Sequence, residues 1–439
     1  MLRRLFPNVY EGWIIVAVAA IYGAITSATV HYGFGVIFPD LREEFGWGAG
    51  VTAGAFALRT EIDGLASPAV GVMVDRAGPR ATLVVGVIVA SVAVFLLSLI
   101  QNIWHLYAVM VLLSIGLTGS GGPASTVATA TWFRRRRARA MALLTLGGGV
   151  AGVLVVGVGA LVDAVGWRDA LRLIAVLLLV TGMLPVFNTR FRPRDHHQPM
   201  DGIRDPLRPA DAPPAHIDDD WGVPIRRAVR SRTFILLTIA LAGGMFATNA
   251  FIVMQIAFLV DEAGASRAAA GSTVALFTLS SIIGRLGLGL LADRYDKRLM
   301  LTLTMVIVTV GVALLPLVHS LWQSYPIIVI IAIGFGGAIP IRPALVADYF
   351  GTKHFGTMNG LTTSVRTLGA LVGPPAVGAM LDITGSYTMG WLLAAGAVAI
   401  SVPLLLLTPP PQDLIDEFRP PAGHAPGGEA AAPSPAATR

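Results

Sequence analysis

The stretch Gly71-Val-Met-Val-Asp75-Arg76-Ala-Gly78-Pro-Arg80 recurs 218 residues further on as Gly289-Leu-Leu-Ala-Asp293-Arg294-Tyr-Asp296-Lys297-Arg298. Each copy closes an apolar run and opens a basic turn. The same offset carries Gly46 onto Gly264, and Gly116 and Gly119 onto Gly334 and Gly337. A slip of one or two residues carries Trp132-Phe133 onto Tyr349-Phe350, and Asp163…Gly166 onto Asp382…Gly385. Landmarks of several kinds in one order mark an internal repeat of two like halves. An even number of apolar runs separates the copies, so the repeat is parallel.

The runs between the landmarks are built for lipid. The chain is 54% hydrophobic and 13% charged, with mean hydropathy +0.70; a soluble domain carries about 25% charged residues. A bilayer core of about 30 Å takes about 20 apolar residues as helix. Twelve such segments follow one another: 13–38, 48–72, 81–100, 104–131, 138–162, 170–187, 233–260, 268–291, 299–318, 321–347, 356–381 and 387–407. Helix is the reading for each, because an open sheet cannot satisfy its backbone in hydrocarbon. The fold expected is an all-α membrane protein of twelve transmembrane helices in two pseudo-symmetric six-helix bundles. The bundles cover 1–187 and 233–408. A linker rich in Pro, Asp and Arg (188–232) and a Pro/Ala-rich tail without structure (409–439) complete the division.

The basic residues alternate between the two ends of the spans. Arg3, Arg4, Arg76, Arg80, Arg134 to Arg137, Arg139, Arg294, Lys297, Arg298 and the linker arginines fall on one side; Arg42, Arg168 and Arg267 fall on the other. The positive-inside rule then puts both termini and the linker in the cytoplasm and the protein in the inner membrane. The first apolar run is too long for a signal-peptide core and reads as span 1. A pI near 10 is thus an orientation signal and not a nucleic-acid surface. There is no cysteine, so thiol chemistry and Cys-ligated metal are out of reach. No metal, cofactor or ATP motif is expected, and the Gly/Pro clusters 116–123 and 334–343 lack the Gly-Lys-Ser/Thr ending of a phosphate cradle. They read as bend sites. A membrane enzyme would need a nucleophile or metal constellation that the spacing does not supply.

The doubled motif resembles the loop 2–3 and loop 8–9 signatures of the major facilitator superfamily, over spans 1 to 12. Gly71 and Gly289 allow close helix approach. Asp75 and Asp293, with Arg76, Arg80 and Arg294, form a latch: the carboxylate can pair with basic residues or a helix N-terminus. Asp296, where the first copy has Gly78, points to a weaker second latch. Glu11-Gly12-Trp13 and Trp132-Phe133-Arg-Arg-Arg-Arg-Ala-Arg-Ala140, leading to Gly147-Gly148-Gly149, look like the two signatures of the monocarboxylate transporters and their bacterial oxalate/formate antiporter relatives. Animal members carry Asp-Gly-Gly-Trp before span 1 and a less arginine-rich second signature. The resemblance implies a small carboxylate substrate, moved with protons or by anion exchange, and a monomer in the bilayer.

Subtracting one half from the other isolates the charges that serve the asymmetric substrate. Ionisable residues inside a membrane are costly and are functional candidates. Arg285 in span 8 faces Ser67 in the repeat, and Arg366 in span 11 faces Gly147–Gly148. A guanidinium grips a carboxylate with two parallel hydrogen bonds. In the family resembled, a span-8 arginine anchors the substrate, and Arg285 matches it; the antiporters carry a second cation in span 11, and Arg366 resembles that. The animal proteins' Asp one turn before is Ser281 here, so the animal proton relay is not implied. Structural or gating ion pairs are the alternatives for both arginines. His31 in span 1, where the animal carriers have a lysine, and its mate Asn249 in span 7 are candidate substrate-facing residues. His31 can also carry a proton, or be an interface histidine. Arg59, Glu61 and Asp63 in span 2 have Phe277, Leu279 and Ser281 as mates and read as a coupling or gating network, against a structural pair. Arg59 and Asp63 are one turn apart and can pair. Arg342 reads as an interfacial or gate residue. A multidrug exporter on the same fold is the competing reading; it predicts an acidic, aromatic cavity.

Overall fold

The computed structural model describes residues 9–47, 49–188, 201 and 221–419. Arg3, Arg4, most of the linker and the tail beyond Arg419 lie outside the described residues. The chain crosses twelve times. Span 1 is Glu11–Thr26, a π-helical turn Ser27–Tyr32, and Gly33–Phe45. Spans 2 and 3 form one run, Ala49–Leu97, kinked at Gly78, whose φ of 83° a side chain would resist. Span 4 is Ile103–Ser120 plus Gly122–Trp132; span 5 is Arg137–Val165; span 6 is Trp167–Asn188. Spans 7 to 12 are Arg232–Asp261, Arg267–Leu291, Lys297–Leu314, Leu321–Phe350, Phe355–Thr384 and Tyr387–Leu406. Ten described segments are long and apolar enough to cross by themselves, one of them holding both span 2 and span 3.

The repeat is visible in backbone and surface. Gly46 and Gly264, and Gly166 and Gly385, all take positive φ at equivalent span ends. Trp104 and Trp322, 218 residues apart, are 78% and 80% exposed at the starts of spans 4 and 10, where amphipathic rings sit at a bilayer interface. At the turn after spans 2 and 8 the halves differ. Gly78 bends the chain, whereas Asp296 caps span 9 by accepting from the amides of Arg298 and Leu299 at 2.7 and 3.1 Å.

Of the two expected bends, only the first breaks its helix: Gly121 interrupts span 4. Span 10 stays helical through Pro326, Pro340 and Pro343. Its glycines instead allow close packing. A Cβ on Gly336 would stand 2.1 Å from Ser281 O of span 8, and one on Gly334 2.9 Å from Thr304 O of span 9. The linker and tail hold structure that composition does not announce. Asp201 accepts from the amides of Arg134, Arg135 and Arg136. Trp221 O accepts from Thr352 and Lys353 N. Gln412–Phe418 is a short helix, tied to Arg227 through Glu417 at 2.8 Å.

Candidate functional site

The candidate residues fall into three strata, of which the first and third cross between the halves. At the arginine-rich face, each motif aspartate caps a helix of the other half. Asp75 accepts from the amides of Gly356 and Thr357, both at 2.8 Å, and from the Thr357 hydroxyl at 2.6 Å, at the start of span 11. Asp293 accepts from the amides of Ala138 and Arg139, at 2.8 and 3.0 Å, at the start of span 5. A helix N-terminus leaves amides without internal partners and carries partial positive charge, so the carboxylate fits it twice over. Burial pushes the Asp293 carboxyl above its ordinary value, and the two amides and nearby cations partly offset this. Asp348 of span 10 joins Arg137 and Lys297 across the seam. Arg76, Arg80 and Arg294, expected in the latch, are exposed and make no described side-chain hydrogen bond or ion pair. The carboxylates accept from backbone amides of the opposite half in place of these three arginines, and Arg139 Nε stands 3.9 Å from Asp293 Oδ2. The second latch accepts two amide hydrogen bonds where the first accepts from three donors.

The glycines let this closure form. A Cβ on Gly71 would lie 2.2 Å from Gly356 O, and one on Gly360 2.4 Å from Ser67 O. The two family-like signatures also come together here. Trp13 lies 4.5 Å from Phe133, ring centre to ring centre, and the Tyr10 hydroxyl donates to Trp132 O at 3.1 Å.

Deeper in span 2 lies a polar network centred on a buried arginine. Arg59, 3% exposed, donates to Asp63 Oδ2 and to His31 Nδ1, both at 3.1 Å. The hydroxyls of Ser114 and Thr118, from span 4, stand 2.8 and 3.0 Å from Asp63 Oδ1. Because arginine only donates, His31 Nδ1 accepts and carries no proton in this state. The structure therefore joins His31 to the span-2 cluster, and it does so from the π-helical turn, a feature frequent at functional sites. Glu61 stands apart, half-buried, with no described hydrogen bond or ion pair. Asn249 ties span 7 to span 11, donating to Ala370 O at 2.7 Å.

The third stratum is cationic. Arg285, 7% exposed, reaches across the seam and donates to Thr145 O of span 5 at 2.6 Å, beside Gly148 and Gly149. The bare glycine backbone is what lets a guanidinium in. Arg366, in span 11, is partly buried and makes no described side-chain hydrogen bond or ion pair. Arg342 sits eight residues before the end of span 10 at Phe350, about 12 Å along the helix, and donates to Ala338 O at 2.9 Å. Its nearness to Pro343 and the helix end suggested an edge position; only packing against span 7 reveals its depth. Ser114, Thr118 and Thr145 carried no sequence signal, since hydroxyls and carbonyls in helices are common, and Asp348 falls one residue past the expected end of span 10.

A family model described as Major Facilitator Superfamily matches residues 20–256 and 239–435. Monocarboxylate transporter 13 of Bos taurus is 27% identical over 437 residues, covering 94% of this chain and 95% of its own. Monocarboxylate transporter 11 of Homo sapiens is 27% identical over 410 residues, covering 89% of this chain and 82% of its own. The crystal structure of the E. coli fucose:proton symporter superposes with a TM-score of 0.70 at 14% identity, over 91% of this chain and 98% of that one, and so shares the fold. These are transporters and not enzymes. The chain belongs to the major facilitator superfamily.

Proposed function

We propose that this protein is a secondary active transporter of small organic anions. The substrates are monocarboxylates such as lactate or pyruvate, or small dicarboxylates, moved by alternating access and coupled to protons. The observation that carries the reading is Arg285: a buried guanidinium at the seam between the halves, held by a backbone carbonyl. A carboxylate arriving at the seam offers it a stronger, charge-assisted pair than Thr145 O does. Exchanging one partner for the other couples binding to the relation of the halves. Arg366 adds positive charge from span 11. The names of the relatives support the same substrate class.

His31, Arg59 and Asp63 form the coupling element. A proton on His31 Nδ1 would remove the acceptor that span 1 offers Arg59 while its pair with Asp63 stays, so protonation and helix contact change together. The arginine-rich face is cytoplasmic, in the inner membrane, and the latched arrangement is the one closed to the cytoplasm. The chain works as a monomer. Exchange of the oxalate/formate type is the second reading, favoured by Ser281 where the animal carriers have an acid.

Uptake of labelled lactate, pyruvate, formate and oxalate into proteoliposomes, with and without an imposed pH gradient, tests both. Accumulation driven by inward protons is expected; uptake that needs only a trapped counter-anion selects exchange. If no member of a broad organic-acid panel is moved, the carboxylate reading is lost.

A further inference from the structure

Spans 1 and 5 enclose a groove of about 430 Å³. Apart from the indole N–H of Trp13 its walls are apolar: span 1 contributes Ala17, Ala20 and Ala24, and span 5 contributes Leu143, Leu146 and Val150. The helices touch where a Cβ on Gly147 would stand 2.2 Å from Ala20 O, and the small side chains of span 1 leave a trough beside that contact. From Trp13 to Ala24 the groove follows about 16 Å of helix. That is half of a hydrocarbon core about 30 Å thick, the depth of one leaflet. Span 5 turns other residues to the C-terminal half: Ala142 meets Gly289, Gly149 meets Ile282, and Thr145 O meets Arg285. Among the described residues the groove takes no side chain from that half. Ile21 and Val150, on its walls, are 54% and 44% exposed. Large apolar side chains left bare on a membrane-spanning helix face lipid.

At the arginine-rich end the same face turns cationic. Arg136, just before the helix, and then Arg139, Leu143, Leu146 and Val150 follow at spacings of 3, 4, 3 and 4, which is one helical stripe. Arg136 gives its amide to Asp201 Oδ1, while its guanidinium makes no described hydrogen bond or ion pair. Arg139 is half-buried, and its Nε stays 3.9 Å from Asp293 Oδ2, beyond hydrogen-bond reach. An apolar trough one leaflet deep, with guanidiniums at its surface end, complements an acyl chain that carries a negative headgroup.

We propose that the groove between spans 1 and 5 holds one acyl chain of an anionic phospholipid from the leaflet at the arginine-rich face, with its phosphate on Arg136 and Arg139. The lipid seats span 1 on span 5 from outside the bundle and lies apart from Arg285.

Native mass spectra of the purified full chain in detergent, titrated with phosphatidylglycerol or phosphatidylethanolamine of matched chains, test this with no transported solute present. One phosphatidylglycerol per chain should be retained. Its dissociation constant should lie roughly tenfold below that of phosphatidylethanolamine, since each arginine near a membrane surface favours an anionic lipid. The double variant R136Q/R139Q should bring the two lipids to equal affinity. R136K/R139K should keep the preference, which guards against a glutamine pair that merely misfolds. A17F, which fills an exposed position on the groove wall, should weaken retention of both lipids. Equal retention of the two lipids by the unmodified chain overturns the inference. So does a preference that survives R136Q/R139Q, or retention undiminished in A17F. Displacement of the bound lipid by glycerol 3-phosphate, which has the phosphate but no chain, would also sink it, as would equal affinity for oleate, which would make the groove a fatty-acid site.

Discussion

Arg285 and His31 each make a bond whose loss is a separable prediction. Arg285 meets span 5 through a 2.6 Å bond to Thr145 O. Arg285→Lys keeps the charge but loses the planar fork, and should raise the KM for carboxylate about tenfold. Arg285→Gln should raise it about a hundredfold or more, since a charge-assisted hydrogen bond is worth about 1.5–3 kcal/mol. Initial-rate uptake measures both, and an unchanged KM in either variant would refute the anchoring role. His31→Asn retains an acceptor near the place of Nδ1 yet cannot titrate. It should preserve anion exchange at equilibrium while gradient-driven accumulation falls to the level seen without a gradient. Loss of exchange as well would instead mark His31 as a packing or substrate residue. The span-2 charges were legible as a cluster because Arg59 and Asp63 are one helical turn apart. Their link to His31, 28 positions away, was not, because it depends on how span 1 crosses span 2.

Among the elements, spans 2 and 11 and spans 5 and 8 carry the closure. Glycines bring the backbones together and aspartates pin the ends. Gly71→Val would put a branched side chain where even a Cβ meets Gly356 O at 2.2 Å. Overpacking of this kind costs about 1–3 kcal/mol, paid only in the latched state. The population should therefore move toward an open arginine-rich face. The chain has no native cysteine, so a single Ser67→Cys reporter, nearly isosteric, buried and set against Gly360 of span 11, leaves the latch donors in place. Its labelling rate should rise roughly tenfold in the Gly71→Val background, the factor that 1.4 kcal/mol implies. Asp75→Asn should open the latch more than Asp293→Asn, because Asp75 accepts three donors and Asp293 two. Equal effects, read by the same reporter, would show that the number of donors does not set the strength of the latch.

On the scale of the whole molecule, each half closes its far end by a similar device. Glu44, at the end of span 1, accepts from Arg168 Nη2 at 2.6 Å and Trp167 Nε1 at 2.9 Å, at the start of span 6. Asp261, at the end of span 7, accepts from the Tyr387 hydroxyl at 2.8 Å, at the start of span 12. The hydrogen bond from Arg168, aided by Trp167 and the arginine's charge, holds the Glu44 carboxyl below its ordinary range. A depressed carboxylate contributes stability above its unfolded value, and that contribution is lost as pH falls through the depressed one. Glu44→Gln should therefore be less stable than the parent at neutral pH, and the difference should vanish in acid. The pair is exposed, so the effect is at most about 1 kcal/mol. Thermal melts of both proteins between pH 7 and pH 3 measure it; a difference that grows on acidification would reverse the sign.

The sequence by itself determined the twelve spans, the parallel repeat and the two aspartate motifs. Hydrocarbon forces helix on any long apolar run, and a repeat is a comparison of the chain with itself. It also singled out Arg285, Arg366 and the span-2 charges, because a charge in lipid is conspicuous without coordinates. Only the tertiary structure decided which groups those charges meet. It gave the motif aspartates to backbone amides of the opposite half in place of the neighbouring Arg76 and Arg294, and it gave the Arg285 guanidinium to the Thr145 carbonyl of span 5. The physical reason is the same in both cases. A partner in a helical membrane protein is set by which faces of distant helices cross at one depth, and that depends on glycine contacts hundreds of residues apart.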